Sequence, residues 1–328
     1  MYIFENRPRR LRKNQAIRQL LQETQLGVHD FVYPIFVHDG QEKAIPIQSL
    51  PGCYRYSMDG VLAHCEDVVA LGIVAVALFP AIDSAKKNAD ATEALYENGL
   101  IPQVIKKIKA TFPDLLVVTD LALDPYSSDG HDGFVRDGKV LNDETVACLA
   151  QMAVLHASCG ADIVAPSDMM DGRVGIIRDS LESARYVDTI ILSYTAKYAS
   201  ALYGPFRDAL QSAPKAGDKK TYQMNVANRE EAIQEAQYDV DEGADILMVK
   251  PASWYLDIIR DLKDNFSVPI AGYHVSGEFS MLKGASQQGI MDYEQGLMEV
   301  LMAIKRAGAS FIFTYGALDA ARFLQKTN

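Results

Sequence analysis

Cysteine is scarce in this chain, and the four present, Cys53, Cys65, Cys148 and Cys159, are scattered without a Cys-x-x-Cys spacing. They make neither a disulfide framework nor a zinc knuckle, so a reducing cytoplasm is the expected home. Positive charge is also in deficit. A formal net charge of −11 with a pI near 5.0 excludes a broad nucleic-acid surface, which needs a stripe of cations to displace counterions from phosphate. Long apolar runs are missing as well. The longest, residues 68–82, is about three residues short of the ~18 that a spanning helix needs and is broken by Gly72 and Pro80, so no membrane segment is expected. The first residues carry Arg7, Arg9, Arg10, Arg12 and Lys13 but not the apolar core or small-residue cleavage site of a secretion signal. They read as a basic arm, residues 1–28, leading into a helix that packs on a neighbouring subunit or stays in solvent.

What is present is an ordinary globular balance, 48% apolar and 23% charged residues. Continuous β-branched runs recur at 30–37, 72–80, 115–123, 161–167, 189–195, 244–251, 268–276 and 310–315. Continuity, rather than alternation, is expected of parallel strands covered on both faces. Amphipathic stretches lie between them. In 228–244, Ile233, Ala236, Gln237 and Val240 follow helical spacing and Gly243 supplies the stop. Strands alternating with helices point to one (β/α)8 TIM barrel over residues 29–328. The rival, a doubly wound open sheet, would place a Gly-x-Gly-x-x-Gly turn after its first strand, and "FVHDGQEK" has none. Two connections, 124–143 and 198–222, exceed the ~12–15 residues usual for loops inside a domain. Both follow a strand's C-terminal end, where barrels keep their chemistry, so both are read as lids. "KKTYQMNV" (219–226) looks like a ninth strand and is read as the return leg of the second lid.

The chemistry starts from "ILMVKPASW" (246–254), an apolar run that ends on Lys250 and is followed by Pro251 and the single tryptophan, Trp254. Lys197 stands just past the end of the preceding strand. On a barrel these adjacent strand ends aim two amines at one pocket. Each disfavours protonation of the other, as does poor solvation, so one amine is expected neutral near pH 7 and able to attack a ketone. A single strand-end lysine is more often a surface or ion-paired residue. Two on consecutive strands argue for Schiff-base chemistry.

The segments "VAPSDMMDGRV" (164–174), "SYTAKYAS" (193–200), "LMVKPASWYLDI" (247–258), "YHVSGE" (273–278) and "TYGA" (314–317) together resemble the porphobilinogen synthase (5-aminolevulinate dehydratase) family. The likeness runs over most of the chain in the family's order. It implies a homo-oligomer, an octamer in this family, whose barrel condenses two 5-aminolevulinate molecules into porphobilinogen through lysine imines. By position, Lys250 takes the substrate that becomes the propionate side and Lys197 the acetate side. The resemblance further implies a hydroxyl clamp of Ser276 and Tyr315 for one carboxylate. Arg207, Lys219 and Gln223 in the lid match the positions that hold the other. Phe206, Tyr194 and Tyr203 would line the pocket, with Ser167 and Asp168 near the acetate-side substrate. Asp120, on the third strand, is a candidate for orienting an amine or a water.

Where zinc-using relatives carry three cysteines, this chain has Ala122, Asp124 and Asp132. Zinc prefers thiolate and imidazole, so a catalytic zinc is not expected. Asp124 and Asp132, with Asp129 and His131, suit a hard cation, or act without metal as acid and base groups. The resemblance also implies a remote, allosteric Mg2+ held by one glutamate and waters at a subunit interface, and the matching residue is Glu235. Two other activities fit the same barrel: a Schiff-base aldolase, and a non-catalytic binder of acidic metabolites.

Overall fold

The computed structural model describes residues 5–327. All eight expected strands form: β1 (Phe31–His38), β2 (Ala75–Ala81), β3 (Leu116–Leu121), β4 (Ile163–Pro166), β5 (Ile190–Lys197), β6 (Ile246–Lys250), β7 (Ile270–His274) and β8 (Phe311–Thr314). Each pairs in parallel with the next, and β1 pairs with β8, Phe31 opposite Ile312, which closes the sheet into a barrel. Helices cover it outside, and the fold is a (β/α)8 TIM barrel.

Strand alternation divides the apolar residues into two layers. Val32, Phe36, Phe79, Val118, Leu192, Tyr194, Met248, Tyr273 and Phe313 fill the barrel interior. Their neighbours along each strand, such as Val37, Val76, Val117, Ile191, Leu247 and Ile312, pack outward against helical residues including Val61, Ile105, Leu149, Ile177, Ile259 and Leu301. Burying a side chain of this size contributes about 1.5–3 kcal/mol, and here every strand buries both faces. That is why the runs are continuous.

The helix expected over 228–244 spans Glu230–Asp241, buries Ala232 and Ala236, and is followed by Gly243 at φ +99°, a left-handed stop that only glycine adopts freely. Residues 219–226 form no strand. A single bridge joins Met224 to Tyr198, so the segment is the return leg of the lid. Two short pieces escaped the sequence pattern. Ala44–Pro46 and Tyr54–Tyr56 pair antiparallel and extend the sheet at β1, and Val135–Arg136 forms a hairpin with Lys139–Val140. Two or three residues are too few to show a period. Near the N-terminus, Pro8–Arg12 forms a 3-10 turn and Gln15–Leu20 a helix, neither with a buried residue; residues 1–4 of the expected arm, like residue 328, lie outside the described residues. No described helix is long and apolar enough to cross a membrane.

Candidate active site

Two lysines reach the same end of the barrel by different routes. On β6, Ile246 and Met248 face the interior, so the two-residue period places Lys250 there too. On β5 the period alone would fail. Leu192 and Tyr194 face inward, while the Ser193 and Thr195 hydroxyls face outward and donate to Asp239 Oδ2 at 2.7 and 2.6 Å. Lys197, one step beyond an even position, should follow them outward. The ladder shows why it does not: Leu247 pairs with Ser193 but Val249 pairs with Ala196, two steps on β6 against three on β5. This extra residue is a β-bulge, which re-aims the side chains after it. Past it, Lys197 stands directly opposite Lys250, and both are buried.

Four rings surround Lys250 Nζ, with centroids at 5.0 Å (Tyr194), 5.4 Å (Tyr203), 5.0 Å (Phe206) and 4.5 Å (Tyr273). Burial and then the neighbouring charge of Lys197 bring its pKa down to about 7. Lys197 has a polar nest instead. Its Nζ donates to Asp132 Oδ2 at 3.1 Å and to the Ser167 carbonyl. Asp132 Oδ1 takes a second ammonium, Lys219 Nζ, at 2.5 Å, and Lys219 also reaches Asp124 Oδ2 at 3.3 Å. Burial works to raise the Asp132 carboxyl, but Lys197 and Lys219 outweigh it and hold it well below the ordinary carboxylate range. Asp120, inside β3 and level with Ala165, shows the opposite balance. Burial pushes it up to about 7 against the pull of Lys197 and Lys250. Its Oδ1 has no hydrogen-bond partner among the described residues, so it faces the pocket with an open acceptor.

The pocket between the lysines is small, about 20 Å³, and is lined by Asp120, Asp124, Asp132, Ser167, Lys197, Tyr203, Phe206, Arg207, Lys219, Gln223 and Lys250. The lid closes it. Ala201–Tyr203 and Gly204–Leu210 are helical; Tyr203 Oη donates towards the carbonyls of Tyr198 and Lys250 at 2.8 and 3.1 Å. The Phe206 N–H donates to Ser276 Oγ at 3.0 Å, and Tyr315 Oη meets Tyr273 Oη at 3.1 Å. The expected hydroxyl clamp therefore lies beyond Phe206, on the Lys250 side, with the lid backbone on one of its hydroxyls.

Three expectations about residue placement are corrected. Asp168 does not enter the pocket. Ile163 and Ala165 face inward, Ser167 follows them, and Asp168, one residue on, turns outward to Arg173 Nε at 3.6 Å while accepting from the Met170 N–H at 2.7 Å. His131 is not grouped with the acids. Its ring nitrogens meet Tyr222 Oη at 3.1 Å and the Ala216 carbonyl at 2.9 Å. Asp129 and His131 instead line a separate bowl of about 950 Å³ that shares only Gln223 with the lysine pocket. Glu235 is in that bowl, with Asp171 and Glu231; burial raises its carboxyl and Arg173 opposes the shift.

Sequence reasoning missed the groups that hold these parts in place. Arg173 Nη2 donates to Ser193 Oγ at 3.1 Å, and its Nη1 lies 3.6 Å from Asp239 Oδ1. Together these residues anchor the bulge. The available signal was Ser193 and Thr195, two hydroxyls on one face of an apolar strand, which need a buried partner. Arg55 and Lys87 fasten the lid helix: Arg55 donates to the Asp208 carbonyl at 2.9 Å, and Lys87 Nζ to the Leu210 and Gln211 carbonyls at 3.1 and 3.0 Å. Nothing in the pattern near 55 or 87 pointed to that.

The family model for delta-aminolevulinic acid dehydratase matches residues 5–323. A chloroplastic delta-aminolevulinic acid dehydratase of Glycine max is 53% identical over 98% of this chain and 78% of its own length. One from Physcomitrium patens is 52% identical over 98% and 75%. The crystal structure of delta-aminolevulinic acid dehydratase (porphobilinogen synthase) from Toxoplasma gondii, in complex with the reaction product porphobilinogen, superposes with a TM-score of 0.97 at 47% identity, covering 99% of this chain and 93% of that one. These relatives overturn the cytoplasmic expectation, because the plant relatives are named as chloroplastic. The cysteines, all free and buried, speak only for a reducing compartment and do not distinguish one from another.

Proposed function

The chain belongs to the delta-aminolevulinic acid dehydratase family, and from that premise we infer that its buried lysine pair carries the two imines of the reaction. The activity is that of a hydro-lyase of tetrapyrrole synthesis: two molecules of 5-aminolevulinate condense to porphobilinogen with loss of two waters. The observation that supports the assignment is the register of Lys250 against Lys197, with both amines on one closed pocket.

In this reading Lys250, with a pKa of about 7, is the amine that attacks the ketone of the propionate-side substrate. The carbinolamine must shed hydroxide as water, and Asp120, also near 7, is the group able to hold and return that proton. Lys197 serves the acetate-side substrate. Asp132 and the Ser167 carbonyl hold its nitrogen where the second ketone must come. Ser276 and Tyr315 receive the first carboxylate once Phe206 withdraws. Arg207, Lys219 and Gln223 receive the second. Tyr194, Tyr203 and Phe206 exclude water around Lys250. A pocket of about 20 Å³ cannot take two substrates, so the lid opens for entry and, for chemistry, closes over the bound substrates with Phe206 displaced from the position it has here. Asp168, turned towards Arg173, is assigned no contact with substrate.

For metals, the donor chemistry differs between the two places. The Lys219 ammonium already spans Asp124 and Asp132, where a hard cation would otherwise bind, so this reading routes no step through an ion there. Ala122, Asp124 and Asp132 offer no thiolate to zinc. At Glu235 the carboxylate opens on a roomy bowl that Asp171 and Glu231 also line. Among the described residues no three His, Cys, Asp or Glu side chains group to hold a metal. An ion there would keep mostly water ligands, which suits magnesium. Bound there it supplies charge at the helix of residues 230–241, away from the reacting atoms.

The proposed assembly is a homo-octamer in which residues 1–28 form an arm on a barrel of residues 29–328. The support is the arm's exposed apolar residues, Leu11 (59%) and Leu20 (83%), which a neighbouring subunit would cover. Borohydride reduction in the presence of 5-aminolevulinate tests the central claim: a secondary-amine adduct, the substrate's mass less one oxygen after loss of water and hydride reduction, is expected on the peptide containing Lys250. Pyrrole formation, detected with Ehrlich's reagent, without any adduct at Lys250 would overturn it.

A further inference from the structure

The lid and the loop after β3 meet along a ladder that the reaction does not itself require. The Lys215 N–H donates to the Asp129 carbonyl at 3.0 Å. Gly130, at φ +73°, lies so close to the lid that an added Cβ would come within 2.4 Å of the Ala213 carbonyl oxygen. Next to it the buried His131 ring bridges the Ala216 carbonyl at 2.9 Å and Tyr222 Oη at 3.1 Å, and the Asp132 N–H reaches the same hydroxyl at 3.3 Å.

Elementary donor and acceptor rules assign the protons in this ladder. A carbonyl only accepts, so Nε2 carries the hydrogen and donates to Ala216. In the neutral ring Nδ1 then accepts, and the Tyr222 hydroxyl donates to it. That leaves the phenol oxygen free to accept from the Asp132 N–H. The tautomer follows from the network, and each member is satisfied. Both imidazole nitrogens are thereby spent on the lid.

Tyr222 comes three residues after Lys219 and one before Gln223, both buried and both lining the lysine pocket. Lys219 stands 2.5 Å from Asp132 Oδ1, and the other oxygen of the same carboxylate is 3.1 Å from Lys197 Nζ. Holding Tyr222 against the backbone of Asp132 therefore fixes the lid cation relative to the carboxylate that contacts Lys197.

We propose that His131 and Tyr222 are a pair of positioning residues, a latch that holds Lys219 and Gln223 over the lysine pair while the two substrates are joined. The proposal rests on the reading of Lys250 and Lys197 as the imine-forming groups. Neither latch residue touches the reacting atoms.

The test uses the full-length enzyme and three measurements: kcat and KM for 5-aminolevulinate, limited trypsin cleavage after the exposed Lys215 and Lys220, and borohydride trapping at Lys250. Tyr222→Phe keeps the ring and loses only the hydroxyl. The expected result is a rise of about tenfold in KM and in the rate of lid cleavage, the size of one buried hydrogen bond, with trapping at Lys250 unchanged. His131→Asn keeps an acceptor near the place of Nδ1, and His131→Gln keeps a donor near Nε2; each is expected to fall between wild type and His131→Ala. Tyr222→Phe combined with His131→Gln should be no worse than the worse single variant, since both cut the same link. Unchanged KM and cleavage in Tyr222→Phe, or fully additive effects, would overturn the latch. So would a lowered melting temperature with KM unmoved, the mark of a merely structural role. Absence of a Lys250 adduct in the wild type would strike the imine reading instead, and lid cleavage would still judge the latch.

Discussion

Lys250 and Lys197 are opposite residues on adjacent strands, yet their surroundings share little. Lys250 ends a regular strand inside a cage of four rings. Lys197 ends a bulged strand in a nest of acceptors, with Asp132 on one side and the Ser167 carbonyl on the other. The cage removes water without replacing it, which works against the ammonium and favours the nucleophile. The nest replaces water with fixed partners, which orients a nitrogen. Two amines of identical chemistry are thus set apart by environment, the usual means by which a site assigns distinct roles to like groups. The two also depend on different supports. The cage stands on the barrel interior and on Tyr203 and Phe206 of the lid, while the nest needs the bulge, and hence Arg173 and Asp239 outside the barrel.

Cutting the cage's own amine gives the largest effect that this contrast predicts. Lys250→Met should lower turnover by something on the order of 10⁴-fold or more, with the far-ultraviolet circular dichroism and melting temperature retained because the chain around it is apolar. Lys139→Met, on an exposed hairpin, is the matched control and should stay within about 0.5 kcal/mol of wild type. Near-normal activity in Lys250→Met would dissolve the contrast. Next in size is the support of the nest. Asp239→Asn leaves Arg173, itself 3% exposed, with Asp168 as its remaining carboxylate, so the loss should stay below the ~3–5 kcal/mol of a buried charge left with no partner. The denaturant midpoint should fall accordingly. In the folded protein, trapping at Lys250 should survive while turnover drops, because the bulge that aims Lys197 loosens. A drop in Lys250 trapping as large as that in turnover would show that the two supports are one.

The barrel was legible because eight continuous apolar runs can be buried on both faces in few other ways, and each run became a strand. The lysines were legible for the same reason, since a charged residue at the end of such a run demands an explanation. Asp168 was misplaced and the bulge unseen for one shared cause. Which face a strand-end residue takes depends on register, and register is set by partners distant in the chain: Asp239 for β5, Arg173 for the turn after β4. His131 was read with the acids beside it in sequence, whereas its ring belongs to a lid some 85 residues away. Charge and spacing located the pocket, and only the packed structure shows which neighbours face it.

The smallest predicted effect separates the two causes acting on Lys250. Burial is the larger and the charge of Lys197 the next, and the two should come apart by substitution. Trapping requires the neutral amine, so its yield should fall as pH drops below about 7, approaching tenfold per unit once protonation dominates. Lys197→Gln removes the like charge and leaves the four rings. The midpoint of trapping at Lys250 should then rise, because the ammonium has lost a repulsive neighbour, yet remain well below the ordinary lysine value of 10.5, because the cage still excludes water. Measured as adduct yield against pH on the Lys250 peptide, this needs only the first imine and no turnover. An unmoved midpoint would mean that Lys197 contributes nothing to the cage, and a midpoint at the ordinary lysine value would mean that the rings do not dry it.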